Sequence, residues 1–400
     1  MTSRWLARGT AVLAAGALVW GVAGPAALAD QVRDQQWALK TFEAEAKVWP
    51  VSQGEGVVVA VIDTGVNPDH QDLTGQVLPG ADFSGTQSDG RVDTNGHGTG
   101  MASLIAGHGH GTQAGVMGLA PKAKILPVKV RTNDEGPIPE QNDLAAGIRF
   151  AVDKGAKVVN ISLGGGSRFD SQTRKAVAYG VSKDVVLIAG TGNDGSSNGV
   201  GYPAAFPGVV AVGAADSKGV VWGDSTSGPE TTLIAPGVGI NHAGAKSPTS
   251  YLVANGTSDS TAYVAATAAL IRSKYPDLSA GQVINRMIKT ATPPANGTAV
   301  PDNHYGYGLV APAKALEANP AVDNGPRENP LLGRMEAKGT PPPVDEETDE
   351  PAVVPMVPEG DKGSGGNGVG VVVGVAAGGL VLVVALVGVL VVRRRRGAGQ

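Results

Sequence analysis

The chain has 400 residues, 42% of them hydrophobic, a formal net charge of −4 and no cysteine. Disulfide staples, thiol nucleophiles and thiolate zinc sites are therefore excluded whatever the compartment. The acidic balance holds even with four arginines near the carboxyl end, and no basic stripe suits nucleic acid, so nucleic-acid binding is excluded as well.

Residues 1–29 read as a signal peptide. Arg4 and Arg8 precede an alanine-rich apolar run, and Ala27-Leu28-Ala29 closes it in the small-x-small pattern that a signal peptidase accepts. An uncleaved anchor is the competing reading, for which the run is short. Residues 30–55 form an amino-terminal extension of about 26 residues, below the roughly 40 that an independently folded domain requires, so a separate inhibitory prodomain is not expected.

From 56 to 318 the chain alternates between short apolar runs and helical patterns. Gly56–Ile62, Ala123–Val130, Lys157–Ile161, Val185–Ala189 and Val209–Val212 read as strands apolar on both faces, with helices over Leu144–Lys154 and Ser171–Lys183. This alternation predicts an α/β fold with a mainly parallel sheet flanked by helices, whose ligands lie beyond the carboxyl ends of the strands. Asp63 stands at such an end. A further helix should begin near Ser258, with Val264, Ala268 and Ile271 at helical spacing, and stop before Pro276.

Composition then changes. Residues 319–368, with Pro341-Pro342-Pro343, the acidic run Asp345–Glu350 and Gly363-Ser364-Gly365-Gly366, read as a linker without enough apolar surface to fold. Val369–Val392 is uncharged, apolar and long enough for a transmembrane helix, and Arg393–Arg396 open a basic tail, 393–400. Arginines stay on the cytoplasmic side, so residues 56–318 are expected outside the cell, on a protein crossing the membrane once.

Three motifs carry chemistry: Val61-Ile62-Asp63-Thr64-Gly65, Asn95-Gly96-His97-Gly98-Thr99 and Asn255-Gly256-Thr257-Ser258. Asp, His, Ser is one of the chain orders of catalytic triads. A serine hydroxyl needs an adjacent base to take its proton; His97 suits that role, with Asp63 holding its ring and tautomer. Singly, each residue has a plainer reading: a turn aspartate, a loop histidine, a helix cap. Together they point to a serine endopeptidase that works through an acyl-enzyme on Ser258.

These motifs resemble those of the subtilisin-like serine proteases, peptidase family S8. Further strings of the same kind lie between them: Val159-Asn160-Ile161-Ser162-Leu163-Gly164-Gly165, Gly192-Asn193-Asp194-Gly195 and Tyr202-Pro203-Ala204-Ala205-Phe206-Pro207-Gly208-Val209. The resemblance spans about Gln35 to Leu316 and implies a three-layer subtilisin-like fold. It also implies that the Asn193 side-chain amide and the Ser258 backbone N–H form the oxyanion site, aided by the helix dipole. Ser162, Leu163 and Gly164 look like the family's substrate-pairing strand, which an extended peptide would join; an ordinary core strand running into a glycine loop is the alternative.

Asp34-Gln35-Gln36-Trp37 near the start and a lone membrane helix near the end make the layout similar to the mycosins, membrane-anchored proteases of actinobacterial type VII secretion. That likeness implies a polypeptide substrate, a secretion complex in the cell membrane as partner, and an extension wrapped on the catalytic domain, with Gln36-Trp37 and Trp49-Pro50 as its anchors. No metal or cofactor is expected: His108 and His110 lie in a glycine-rich stretch without a nearby carboxylate cluster and read as solvated, and no calcium-loop motif is evident. Two residues depart from the family pattern. Asp259 follows Ser258 where an apolar or small residue is usual, and Ala262 takes the place of a proline; a carboxylate beside the oxyanion would oppose it, although the same charge favours a helix first turn, so the departure bears on turnover rate more than on mechanism. The alternative function is a weakly active or inactive scaffold that braces the secretion complex.

Overall fold

The computed structural model describes residues 32–130, 143–164, 166–195 and 199–334. In chain order, α1 (Val32–Gln35), α2 (Trp37–Thr41) and a π-helical turn (Ala44–Val48) come first. There follow β1 (Val58–Asp63), β2 (Ala81–Asp82), α3 (His97–Ala106), β3 (His108–His110), β4 (Ala114–Met117), β5 (Lys124–Lys129), α4 (Asp143–Asp153) and β6 (Val158–Ile161). Next are α5 (Ser171–Ser182), β7 (Val186–Gly190), β8 (Val210–Ala215), β9 (Thr231–Pro236), β10 (Ile240–Ala243) and β11 (Tyr251–Ala254). The last helices are α6 (Thr257–Lys274), α7 (Ala280–Thr290), α8 (Pro312–Ala315) and α9 (Pro320–Asp323).

Among the described residues, seven strands form one sheet in the order β2-β5-β1-β6-β7-β8-β9. Every neighbouring pair in it is parallel. The runs are apolar at consecutive positions because both faces are covered. In β1, Val59 and Val61 join a core with Met101 and Leu104 of α3, Val264 and Ile271 of α6 and Val283 of α7. Ala60 and Ile62 point the other way, into a core with Ile148 of α4 and Val177 of α5. The result is the expected three-layer α/β arrangement, with strand boundaries mostly within two residues of those read from sequence.

The chain leaves β1 toward β2 and β5 on one side and later returns to β6 on the other, so strand order reverses at β1. Crevices outside the carboxyl ends of strands at such a reversal are where open α/β sheets bind ligands. Helix α6 packs beneath β6 to β9 and is buried along nearly its whole length. Ala262, Ala265, Ala266, Ala268 and Ala269 suit that position, as good helix formers with little bulk to hold the helix off the sheet. It ends as expected: Tyr275, which precedes Pro276, has left the helical region at φ −126°, ψ 72°.

The extension is packed on the domain. Gln36 is buried, its Nε2 donating to Met117 O at 2.9 Å while its Oε1 accepts from Met117 N at 2.9 Å. Trp37 Nε1 donates to Val238 O at 3.1 Å and Trp49 Nε1 to Leu119 O at 3.0 Å.

The start of the linker is corrected by the structure. Residues 319–334, assigned to it from composition, continue the packed unit. Arg286 of α7, which has no exposed side-chain surface, is held by Asp323 of α9 at 2.6 and 2.7 Å. Asn329 Nδ2 donates to Gly208 O at 2.8 Å, and Leu331 is buried. Among the described residues no helix is long and apolar enough to cross a membrane. Met1–Ala29, Val369–Val392 and the tail 393–400 lie outside the described residues.

Candidate active site

Asp63 ends β1 with no solvent exposure. Its Oδ1 accepts from Thr64 N at 2.8 Å and pairs with His97 Nδ1 at 2.7 Å. Its Oδ2 is buried and has no hydrogen-bond partner among the described residues. His97 opens α3, and the helix reaches the end of β1 because Gly98 is bare: a Cβ there would lie 2.1 Å from Gly65 O and 3.0 Å from Asp63 Cβ. With Nδ1–H given to Asp63, Nε2 is the basic nitrogen. Burial disfavours a proton on His97, but the charge and hydrogen bond of Asp63, followed by the charges of Asp259 and Asp93, outweigh it and push the imidazole up to about 9.

The turn that presents His97 is organised by Asp93, which sequence reading missed. Asp93 Oδ1 accepts from Thr64 Oγ1 at 2.9 Å, Asn95 N at 3.0 Å and Gly96 N at 2.8 Å. Its Oδ2 accepts from Thr99 N at 2.9 Å and Thr99 Oγ1 at 2.6 Å. Thr64 Oγ1 in turn accepts from Gly98 N at 3.0 Å, so the Asp63 and His97 loops are stitched together. The one signal in sequence is an acid four residues ahead of the histidine, able to cap the loop's N–H groups.

Ser258 lies in the first turn of α6. Its Oγ donates to Ser162 O at 3.2 Å, and Ser162 Oγ donates to Ser258 O at 3.2 Å, joining the end of β6 to the start of α6. Asn160 Nδ2 donates to Ser162 Oγ at 2.9 Å. Among the described residues no hydrogen bond joins Ser258 to His97. The side chain of Ser162 is buried and bridges the two elements, which leaves its expected part in pairing with a substrate to the backbone. Leu163 is half-buried and packs against the second core, while Gly164 is exposed with open space on its Cβ side.

Asn193 follows β7. Its Oδ1 accepts from Thr257 N at 2.9 Å and Thr257 Oγ1 at 3.0 Å, which fixes the amide with Nδ2 as the end left to donate. A Cβ built on Gly256 would lie 3.6 Å from Asn193 Nδ2 and 3.6 Å from Ser258 N, so both donors expected at an oxyanion site border one point. Asp259 Oδ2 is also 3.6 Å from it. Asp259 is buried, and burial pushes its carboxyl up to about 7 against the opposing charge of His97. Ala262 is an ordinary buried helix residue.

His108 and His110 require a correction. They form β3, which pairs with β4, instead of a solvated loop. His110 Nδ1 meets buried Asp72 Oδ1 at 2.6 Å, and Asp72 Oδ2 accepts from Val116 N at 2.7 Å and Tyr251 Oη at 2.8 Å. Among the described residues no cluster of three or more His, Cys, Asp or Glu side chains is arranged to hold a metal ion. His242, also missed, is buried beside α3: a Cβ on Gly100 would lie 2.5 Å from its Nδ1, and burial lowers its pKa.

A carboxylate-held imidazole, a hydroxyl at a helix start and two convergent N–H donors gathered at one end of a parallel sheet are the components of acyl transfer. Comparison with known proteins agrees. Residues 54–308 match the family model described as Peptidase_S8, Subtilase family. Subtilisin DY of Bacillus licheniformis is 39% identical over 261 residues, covering 64% of this chain and 90% of that protein. Subtilisin E of Bacillus subtilis is 37% identical over 260 residues, and the match spans 65% of its length. Among solved structures, MycP1 from Mycobacterium smegmatis superposes with a TM-score of 0.64 at 28% identity, covering 78% of this chain and 90% of that one. The MycP3 protease from the type VII (ESX-3) secretion system gives a TM-score of 0.61 at 32% identity, covering 71% of this chain and 88% of that one.

Proposed function

Because the chain belongs to the subtilase family and is a serine-type endopeptidase, we propose that Ser258 is its nucleophile, His97 its general base and acid, and Asp63 the carboxylate that orients His97. The observation that carries this reading is the 2.7 Å contact between Asp63 Oδ1 and His97 Nδ1. In the neutral imidazole this contact favours the tautomer with Nε2 bare, and it stabilises the imidazolium that forms. Catalysis then requires the Ser258 hydroxyl, which donates to Ser162 O, to turn toward His97 Nε2. Oγ then attacks the peptide carbonyl as Nε2 takes its proton. Asn193 Nδ2 and Ser258 N donate to the oxyanion; His97 returns the proton to the departing amine, leaving an acyl-enzyme on Ser258 for water to hydrolyse. Ser162, Leu163 and Gly164 border the path of an extended substrate, and the open side of Gly164 supports that placement.

The protein should cleave a mixed peptide library, with new amino termini appearing by mass spectrometry, and Ser258→Ala should produce none. Equal cleavage by Ser258→Ala would overturn the assignment.

The type VII secretion role rests on the structural likeness to MycP1 and MycP3 together with the apolar run Val369–Val392 and its arginines. The reading is of a single-pass membrane protein whose protease domain acts outside the cell on polypeptides of the secretion complex. Crosslinking in intact cells with Ser258→Ala as bait should recover membrane components of that apparatus; recovery of the protein free in the medium would contradict it. The bond from Ser258 Oγ to Ser162 O and the carboxyl of Asp259 favour a second reading, in which the domain mainly braces the complex. Under that reading secretion persists in Ser258→Ala.

A further inference from the structure

Helix α6 brings a carboxyl to the anion pocket. Asp259 is 2% exposed, and its Oδ1 is buried without a hydrogen-bond partner among the described residues. Its Oδ2 borders the same point as Asn193 Nδ2 and Ser258 N, each 3.6 Å from a Cβ built on Gly256. A buried carboxyl with an unpaired oxygen contributes nothing evident to packing. What it does to chemistry depends on its proton: a neutral acid leaves the two N–H donors free to stabilise an oxyanion, whereas a carboxylate sets like charge against it where little water screens the pair.

We propose that Asp259 is a further functional residue of this cleft, an acid that admits the reaction's developing negative charge only while it holds its own proton. The inference rests on the reading of Ser258 as nucleophile. The groups that bear on Asp259 are His97 from α3, with Asp63 and Asp93 behind it, and Tyr263 one turn further along α6. Tyr263 is buried and its phenol stays neutral, since burial and the Asp259 charge both raise it. Burial pushes Asp259 up to about 7, so its proton leaves near neutrality. The coupling to His97 runs both ways: each favours the charged form of the other. A proton on Asp259 therefore weakens the hold of His97 on its own, and the productive form is the one with the single proton on Asp259 and Nε2 bare. At low pH both groups are protonated and no base exists. At high pH both are bare and the oxyanion meets a carboxylate, so the profile is bell-shaped, with both limbs belonging to the coupled His97–Asp259 pair and the alkaline limb marking loss of its last proton.

The test is the second-order rate at which a fluorophosphonate modifies Ser258, followed by mass spectrometry across about pH 5 to 10. In this reaction Ser258 Oγ bonds to phosphorus, fluoride leaves, and the phosphoryl oxygen occupies the anion pocket. The wild type should pass through a maximum and fall about tenfold for each pH unit on the alkaline side, while Asp259→Asn rises to a plateau and is the faster of the two at about pH 10. Asp259→Ala should share that plateau, which separates loss of the charge from any new bond made by the amide. Parallel profiles in the wild type and both variants, all of them reactive, overturn the inference and leave the protease reading standing. Folded wild-type protein that is unreactive at every pH overturns the protease reading and the inference with it.

Discussion

His97 is the residue on which the electrostatics of the cleft converge. Its folded value of about 9 lies above the ordinary 6.5, so charged imidazole is favoured by the fold. Below pH 6.5 both folded and unfolded states carry the proton and the stabilisation is complete; above it the unfolded chain loses the proton first, and by about pH 9 the contribution is gone. The His97 side chain is 34% exposed, so solvent screening reduces the effect to on the order of 1 kcal/mol. Thermal unfolding should accordingly show the wild type losing stability relative to His97→Gln between pH 6.5 and about 9; a difference that stays constant across that window contradicts the assignment. Asp63, His97 and Ser258 stood out as candidates because each reactive type sits in a glycine-bearing motif and the three follow a triad's chain order. Asp93 did not, since its partners are loop N–H groups and hydroxyls that meet only on folding. His110 was misjudged for the same reason: the acid that holds it, Asp72, is 38 positions away along the chain.

At the scale of elements, consecutive apolar residues identified the central strands and alternation identified their class, because a strand covered on both faces must be apolar throughout. Composition failed at 319–334. That segment is rich in Pro, Asn and Gly and poor in apolar residues, yet it is held by polar contacts, to Gln282 and Arg286 of α7 and to Gly208 O. Asp323→Ala would leave Arg286 buried without its counter-charge, at a cost of about 3 kcal/mol. Denaturant unfolding should show that loss, with peptide cleavage little changed in the surviving folded fraction; unaltered stability would mean that α9 is not part of the cooperative unit. The amino-terminal anchors, Gln36-Trp37 and Trp49-Pro50, were expected only through the likeness to the mycosins. Their acceptors, the carbonyls of Val238 and Leu119, were not, because a backbone acceptor has no sequence signature.

For the molecule as a whole, what matters is that the reversal of strand order at β1 brings distant segments together along one rim of the sheet, the edge beyond the carboxyl ends of its strands. Asp63 ends β1, Ser162 follows β6 and Asn193 follows β7, while α3 and α6 supply His97 and Ser258 from the face below. The sheet class predicted that edge; the order of its strands, and hence which loops would be neighbours, could not be read from local pattern. The central claim is that this edge makes Ser258 nucleophilic through His97, and reaction of the folded protein with a fluorophosphonate at neutral pH tests it most directly. The account predicts a single adduct on Ser258, absent in Ser258→Ala and forming at least about 1,000-fold more slowly in His97→Ala. An adduct on another residue, or an equal rate in His97→Ala, would contradict it.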